Sequence, residues 1–292
     1  GIELGIPGEK ANGVRQGVEF LREANLTGRT DVGNNVAIIG GGNVAIDVAR
    51  SAVRLGAETV NIVYRRTRNE MPAWEEEIQA AEDEGVQITY LSAPQEVLTR
   101  DGRVVGLRCI RMELSEPDSS GRKRPIPIPG SEYEIEIDQL IPAIGQRPDL
   151  SALEDITGLT YTRWGTTEVD AVTYATEREG VFAGGDFTTG PTFVIRAISS
   201  GRRAAIAIDK HLGGDRSRVY IPDEKSVRHT STKLALEKES TDDEPRTDMG
   251  YEDANERIKD FREVEKGFTE EEARREATRC LRCDLEKEEN GI

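Results

Sequence analysis

The sequence predicts an α/β fold built on a doubly wound parallel sheet that carries an antiparallel meander, and three observations support it. An apolar run, Val36-Ala37-Ile38-Ile39, leads straight into three consecutive glycines. A helical pattern and then a second β-rich run, residues 59–64, follow the glycines. From residue 96 the strand-helix rhythm gives way to alternating polar and apolar residues punctuated by turn formers, the mark of antiparallel pairing.

The run at residues 36–39 is too short for a helix and suits a buried parallel strand. Gly40-Gly41-Gly42-Asn43-Val44-Ala45 fit G-x-G-x-x-G/A. Val44, Val48, Val53 and Leu55 recur near the helical period, with Gly56 as the stop. A glycine turn between a strand and a helix is the Rossmann-like setting in which this motif holds a dinucleotide. Gly40 permits the tight turn, Gly42 lets the backbone approach a pyrophosphate, and Ala45 allows close helix-strand packing. The first helical amides, at Asn43 and Val44, complete the anion site. An acidic residue for an unphosphorylated ribose belongs at the end of the second strand, where this chain has Tyr64-Arg65-Arg66. Two guanidinium groups suit a 2′-phosphate that a carboxylate would repel, so the expected cofactor is NADP(H), with NAD(H) as the alternative. The competing reading has both arginines simply facing solvent.

A chain of 292 residues accommodates about two domains. The net charge of -16 and pI near 4.8 argue against a phosphate-tracking nucleic-acid surface and against anionic membranes. No segment is long and apolar enough to be expected to span a bilayer. Three cysteines without a secretory signal point to a reducing, cytoplasmic compartment. The chain begins with Gly1 and not Met, and reads as a piece of something longer or a processed product.

In order, residues 1–28 read as a hinge and a first helix, at about 12–23, with Val14, Val18 and Leu21 on one face and Gly28 after its end. The nucleotide domain is expected over 29–146. After its second strand come a loop containing Met71-Pro72-Ala73, a helix at 74–84 stopped by Gly85, and a third strand at 86–91, joined by a right-handed crossover. Met71-Pro72 is either a plain helix boundary or a cofactor contact. The meander is expected to comprise Val97-Leu98, a turn at Asp101-Gly102, a strand at 104–114, a Pro/Gly/Ser-rich loop at 115–130 and a strand at 133–137. Its basic patch, Arg122-Lys123-Arg124, reads as a solvated tip, and Cys109 as a buried strand residue. Residues 140–145 form another apolar strand ending at Gly145, at a sheet edge where ligands bind. Beyond it, 159–161 and 168–170 read as short strands. Residues 180–186 read as a strand running into Gly184-Gly185-Asp186, and a long helix carries Val194, Ile198, Ala205 and Ile208.

Six runs, Ile6-Pro7-Gly8-Glu9, Gly40-Gly41-Gly42-Asn43-Val44-Ala45-Ile46-Asp47, Tyr64-Arg65-Arg66, Met71-Pro72-Ala73, Ala143-Ile144-Gly145 and Val181-Phe182-Ala183-Gly184-Gly185-Asp186, together resemble the pyridine nucleotide-dependent flavoproteins of the glutamate synthase small-subunit type. The matching runs cover about residues 1–214. The resemblance implies a nucleotide domain inserted in a discontinuous FAD domain, whose C-terminal half is a second α/β portion at 147–214. It places Gly185, Asp186 and Thr192 at the flavin, with the helix start after Asp186 facing its ring. A helix N-terminus there can stabilise negative charge on a reduced flavin. The family's first G-x-G-x-x-G, for the ADP half of FAD, does not precede Gly8. The reading is therefore of a C-terminal portion or one partner of a split enzyme, the other half carrying that site and iron-sulfur clusters. Such a chain is expected to bind NADP(H) while holding FAD weakly or not at all, which a FAD titration reads directly.

Residues 215–292 form an acidic tail. Ser226 to Met249 reads as an extended arm with His229 solvated, and helical spacing returns at 251–261 and 269–281, where Thr269 and Glu272 make a capping box. Cys280-Leu281-Arg282-Cys283 supplies part of a metal or iron-sulfur site, a dithiol redox pair, or two inert thiols. The run from Glu276 to Cys283 resembles cluster-binding helices in the same family. The function expected is hydride transfer between nicotinamide and FAD, with electrons passed on to iron-sulfur centres. The alternative is a nucleotide-binding subunit without a redox centre, docking a partner through its acidic tail.

Overall fold

The computed structural model describes residues 1–117, 123–150, 158–214 and 245–278. They divide into two compact units: Gly1–Pro148 with Asp253–Arg262, and Asp149–Glu252 with Glu263–Ile292.

The first unit is organised by a parallel sheet in the order β3-β2-β1-β7, formed by β1 (Asn35–Ile39), β2 (Thr59–Val63), β3 (Gln87–Thr89) and β7 (Gln139–Pro142). Strand β1 lies between β2 and β7, pairing Ile38 with Ile62 on one side and Ile141 on the other. Because β1 is covered on both faces, all of Val36, Ala37, Ile38 and Ile39 are buried. Helix α2 (Asn43–Arg54) inserts Ile46, Val48, Ala49 and Ala52 into the core beside the sheet. Helix α3 (Glu75–Asp83) adds Ile78 and Ala81.

Helix α1 (Gly17–Thr27) starts later than its apolar spacing suggests. Residues 12–15 are instead stitched to other strands, with the Asn12 amide on Gly102 O and the Arg15 amide on Leu140 O, both at 3.0 Å. Those bonds occupy the backbone that a longer helix would need, and the buried face becomes Gly17, Phe20 and Ala24.

The meander is a second, antiparallel sheet of β4 (Ser92–Arg100), β5 (Arg103–Pro117) and β6 (Lys123–Ile135). Most of the stretch expected to be a loop at 115–130 is therefore strand. Pro125, Pro127 and Pro129 are tolerated because β6 is the edge strand, where a missing N–H faces outward and breaks no ladder. Cys109 is fully buried on β5, and burial pushes its thiol up to about 12. Below the unfolded thiol value near 9.0 both states are neutral and this contribution is complete; between 9 and 12 the unfolded chain ionises first, so stability falls as pH rises. Urea titrations from pH 8 to 11 are expected to show a loss with pH that Cys109→Ala reduces; equal slopes for the two proteins would contradict it.

Segment 253–262 belongs to the first unit. The helical spacing expected at 251–261 condenses into one turn, α6 (Ala254–Arg257), whose start is capped by the Asp253 side chain. Arg257 is buried against the α2–α3 pair: Nε lies 2.7 Å from Glu84 Oε1, and a terminal nitrogen donates to Ala80 O at 3.1 Å. Arg50 and Arg54 grip the same Glu84 carboxylate at 2.8 and 3.0 Å.

The second unit contains α4 (Asp186–Thr189), α5 (Val194–His211) and α7 (Glu270–Thr278). The strands expected at 159–161 and 180–186 reduce to isolated bridges, Tyr161 to Thr167 and Ala175 to Phe182, and the one expected at 168–170 forms neither strand nor bridge. Extended segments become strands only when neighbours complete their ladders, and the described residues here supply no such sheet. The Thr269–Glu272 capping box is formed, with the Thr269 amide and hydroxyl both donating to Glu272 at 2.8 Å. No helix among the described residues is long and apolar enough to cross a membrane.

Candidate functional site

A cavity of about 700 Å³ opens at the C-terminal edge of the parallel sheet, lined by residues that include Gly40, Gly41, Gly42, Asn43, Val44, Tyr64, Arg65, Arg66, Pro72 and Gly145. Residues that the sequence separates by a hundred positions meet here because β1, β2 and β7 are adjacent and parallel, so their exits converge.

The floor is the glycine turn. Gly40 has φ 149°, and a Cβ there would lie 2.4 Å from Ala143 O and 3.3 Å from the Ala45 Cβ, so the turn closes only with glycine at 40 and a small residue at 45. Gly42 is different: its φ of -94° suits any residue, and an added Cβ would meet only Pro72 Cγ at 3.8 Å. What Gly42 keeps clear is space on the cavity side. The amides of Gly42, Asn43 and Val44 have no acceptor among the described residues, as the first donors of a helix do not. The arrangement presents a row of N–H groups and a helix dipole to an anion.

The 71–74 loop is fastened to this floor. The Ala73 amide donates to Gly41 O at 3.2 Å, and the Trp74 amide donates to Asn43 Oδ1 at 3.2 Å. Asn43 thus orders the loop with its side chain, and the pair read as boundary or contact divides its work: Pro72 lines the cavity while Met71 is in the core. Tyr64 makes a side wall that the sequence did not disclose. Its ring lies where a Cβ on Gly41 would come within 2.5 Å, and its hydroxyl donates to Glu70 O at 2.6 Å. Ser92, Ala93 and Pro94, from the start of β4, also line the cavity without any signal in the sequence.

Arg65 and Arg66 leave the end of β2 at the cavity's rim. Arg65 is exposed and makes no hydrogen bond or ion pair among the described residues. Arg66 is half-buried, and its Nε donates to Lys123 O at 3.0 Å.

Gly185, Asp186 and Thr192 lie in the second unit and not in this cavity. Gly185 adopts φ 67° where the chain passes close over α5, its amide donating to Ser200 Oγ at 2.7 Å. Asp186 opens α4 and accepts the Thr192 amide at 3.2 Å, closing the 186–192 segment ahead of α5. At the start of α5, Phe193, Val194, Ile195 and Ile198 are between 52 and 76 % exposed, an apolar face on a helix whose opposite side, Ser200 and Ala204, is buried. Cys280 and Cys283, like Arg122 and His229, lie outside the described residues. Among those described, no three or more His, Cys, Asp or Glu cluster as a metal site.

A parallel sheet, a glycine turn into a helix and a cationic rim define a dinucleotide-binding α/β domain of an oxidoreductase. Residues 1–201 match the family model described as pyridine nucleotide-disulphide oxidoreductase, and the chain belongs to that family. It is 43% identical over 294 residues to the NADP(+)-dependent formate dehydrogenase subunit beta of Moorella thermoacetica, covering 96% of this chain and 40% of the relative. It is 37% identical over 311 residues to the NADPH-Fe(3+) oxidoreductase subunit beta of Geobacter sulfurreducens, with 96% and 46% covered. The glutamate synthase [NADPH] small chain of Azospirillum brasilense is 37% identical over 219 residues, covering 70% of this chain and 45% of that one. The resemblance to the glutamate synthase small-subunit type is thus borne out, and the chain spans less than half the length of these relatives. Among solved structures, the fold is similar to Mycobacterium tuberculosis FprA in complex with NADPH, at a TM-score of 0.55 and 20% identity over 73% of this chain and 61% of that one. The thioredoxin reductase of T. acidophilum gives a TM-score of 0.54 at 20% identity, with 73% of this chain and 63% of that one covered.

Proposed function

We propose that the chain is the nucleotide-binding portion of an NADPH-linked flavin oxidoreductase, which positions the nicotinamide for hydride exchange with FAD. The observation that carries this reading is the coincidence, in one cavity, of the amides of Gly42, Asn43 and Val44 with the guanidinium of Arg65, none of which has a partner among the described residues. The amides and the dipole of α2 hold the pyrophosphate, Arg65 and Arg66 hold a 2′-phosphate, and the cavity side of Gly145 takes the nicotinamide half. NADP(H) supplies the hydride chemistry; the protein contributes position and electrostatics, and no side chain need act as acid or base.

FAD fits the second unit only in part. In this reading Asp186 and the exposed apolar start of α5 would meet it, while the motif for its ADP half is absent from this sequence. The relatives, with more than twice the matched length, are named as subunits, which supports a partner segment completing the flavin site.

Gly42→Ala tests the nucleotide assignment cleanly, since the added methyl meets nothing closer than 3.8 Å in the protein. The melting temperature is expected to stay within a few degrees while NADP⁺ affinity, read by calorimetry, falls about tenfold or more because the backbone no longer approaches the pyrophosphate. Unchanged affinity would remove the pyrophosphate from this turn.

A further inference from the structure

The antiparallel sheet reaches well past its own core. Beyond the buried Met112, the arms of β5 and β6 continue with mostly exposed side chains, so burial does not explain their length. What they do touch is the exit of β2. Arg66 O accepts the Leu91 amide at 3.1 Å, and Leu91 O accepts the Met112 amide at 2.8 Å, fastening β5 to the Arg65-Arg66 corner. Strand β6 begins at Lys123, paired with Pro117, and the Arg124 amide donates to Ser115 Oγ at 3.3 Å, closing the two arms.

This geometry has a chemical consequence for Arg66. Its Nε is committed to Lys123 O at 3.0 Å, while its terminal nitrogens have no acceptor among the described residues. A guanidinium anchored through Nε presents its remaining fork in a fixed direction, which suits a bidentate oxyanion. The Lys123 side chain is exposed, and its own backbone carbonyl is the group that Arg66 Nε contacts. The Glu70 carboxyl is held below its usual range first by the Thr67 hydroxyl and amide, and also by the charge of Lys123. Glu70 Oε2 accepts from the Thr67 amide at 3.1 Å and from the Thr67 hydroxyl at 2.5 Å, bonds that hold it within its own turn.

We propose that Lys123 is a specificity residue for a phosphomonoester on the ribose of the bound nucleotide. Strand β6 supplies the second wall of that subsite, its carbonyl aiming the Arg66 fork and its ammonium adding a third positive charge beside Arg65 and Arg66. The proposal rests on the NADP(H) reading and assigns discrimination to a residue more than fifty positions from the glycine motif.

Calorimetric titration of the full chain with 2′,5′-ADP and with 5′-AMP tests it. The wild type is expected to favour 2′,5′-ADP at least about tenfold; equal affinities would refute the NADP(H) reading itself. Given that preference, Lys123→Gln is expected to cut 2′,5′-ADP affinity about fivefold, near the upper end for a solvent-exposed ion pair, and Lys123→Glu about tenfold or more. Both should leave 5′-AMP within twofold, and Lys123→Arg should retain the wild-type ratio. A ratio within twofold of wild type in both Lys123→Gln and Lys123→Glu overturns the proposal, as does an equal loss for both ligands.

Discussion

Replacing Glu84 with alanine is expected to destabilise the first unit by about 3–5 kcal/mol, because it strands buried positive charge. The Glu84 side chain is fully buried, and the three arginines that hold it are themselves 6 to 11 % exposed. Arg50 would keep Glu77, and Arg54 would keep its bond to Arg257 O at 2.9 Å, but Arg257 would lose the Glu84 carboxylate that lies 2.7 Å from its Nε. The arithmetic is asymmetric: making such a cluster contributes little net stability, since desolvation offsets the Coulomb gain, whereas removing the one anion leaves the cost uncompensated. Trp74 and Trp164 are the two tryptophans of the chain, so urea unfolding followed by fluorescence in a Trp164→Phe background reports the first unit alone. A loss below about 1 kcal/mol would show that the cluster is solvated and not buried as described. The same result bears on organisation, for Arg257 comes from a segment outside the matched residues 1–201 and contacts both α3, through Ala80 O, and α2, the helix leaving the glycine turn, through Arg54.

The double replacement Arg65→Ala with Arg66→Ala is expected to weaken NADPH by about thirtyfold or more while leaving NADH within about threefold. Charge-assisted hydrogen bonds to a phosphate contribute about 1.5–3 kcal/mol each, and partial exposure at the rim discounts that figure. Neither guanidinium has an acidic partner among the described residues, so circular dichroism should remain unchanged. Stopped-flow or equilibrium titration with both coenzymes reads the ratio. Parallel losses for NADPH and NADH would mean that the arginines act on something common to both, and the 2′-phosphate assignment would fail. Raising the salt concentration should narrow the wild-type ratio and leave that of the double variant nearly flat.

Local chemistry made the nucleotide-binding core readable. The apolar run at 36–39, the glycine spacing and the β-branched run at 59–63 correspond directly to β1, the turn and β2, since each depends on neighbours within a few residues. The capping box at Thr269 was legible for the same reason. Where local pattern and distant partners disagreed, the partners prevailed. Residues 12–15 gave up helix to pair with β7 and the 102–104 turn, proline-rich 123–130 became an edge strand against β5, and 180–186 stayed a bridge for want of a neighbouring strand.

By itself, then, the sequence determined the strand, the glycine turn and the helix after it, and the two arginines that follow β2, because backbone sterics and hydrophobic pattern act over a few residues. Only the tertiary structure decided which other groups share the site: the Tyr64 ring, the Asn43 tether and the β6 carbonyl that aims Arg66. It likewise decided that Arg257 should meet Glu84. Those meetings depend on strand order and on buried hydrogen bonds between residues far apart in the chain, and no periodicity records them.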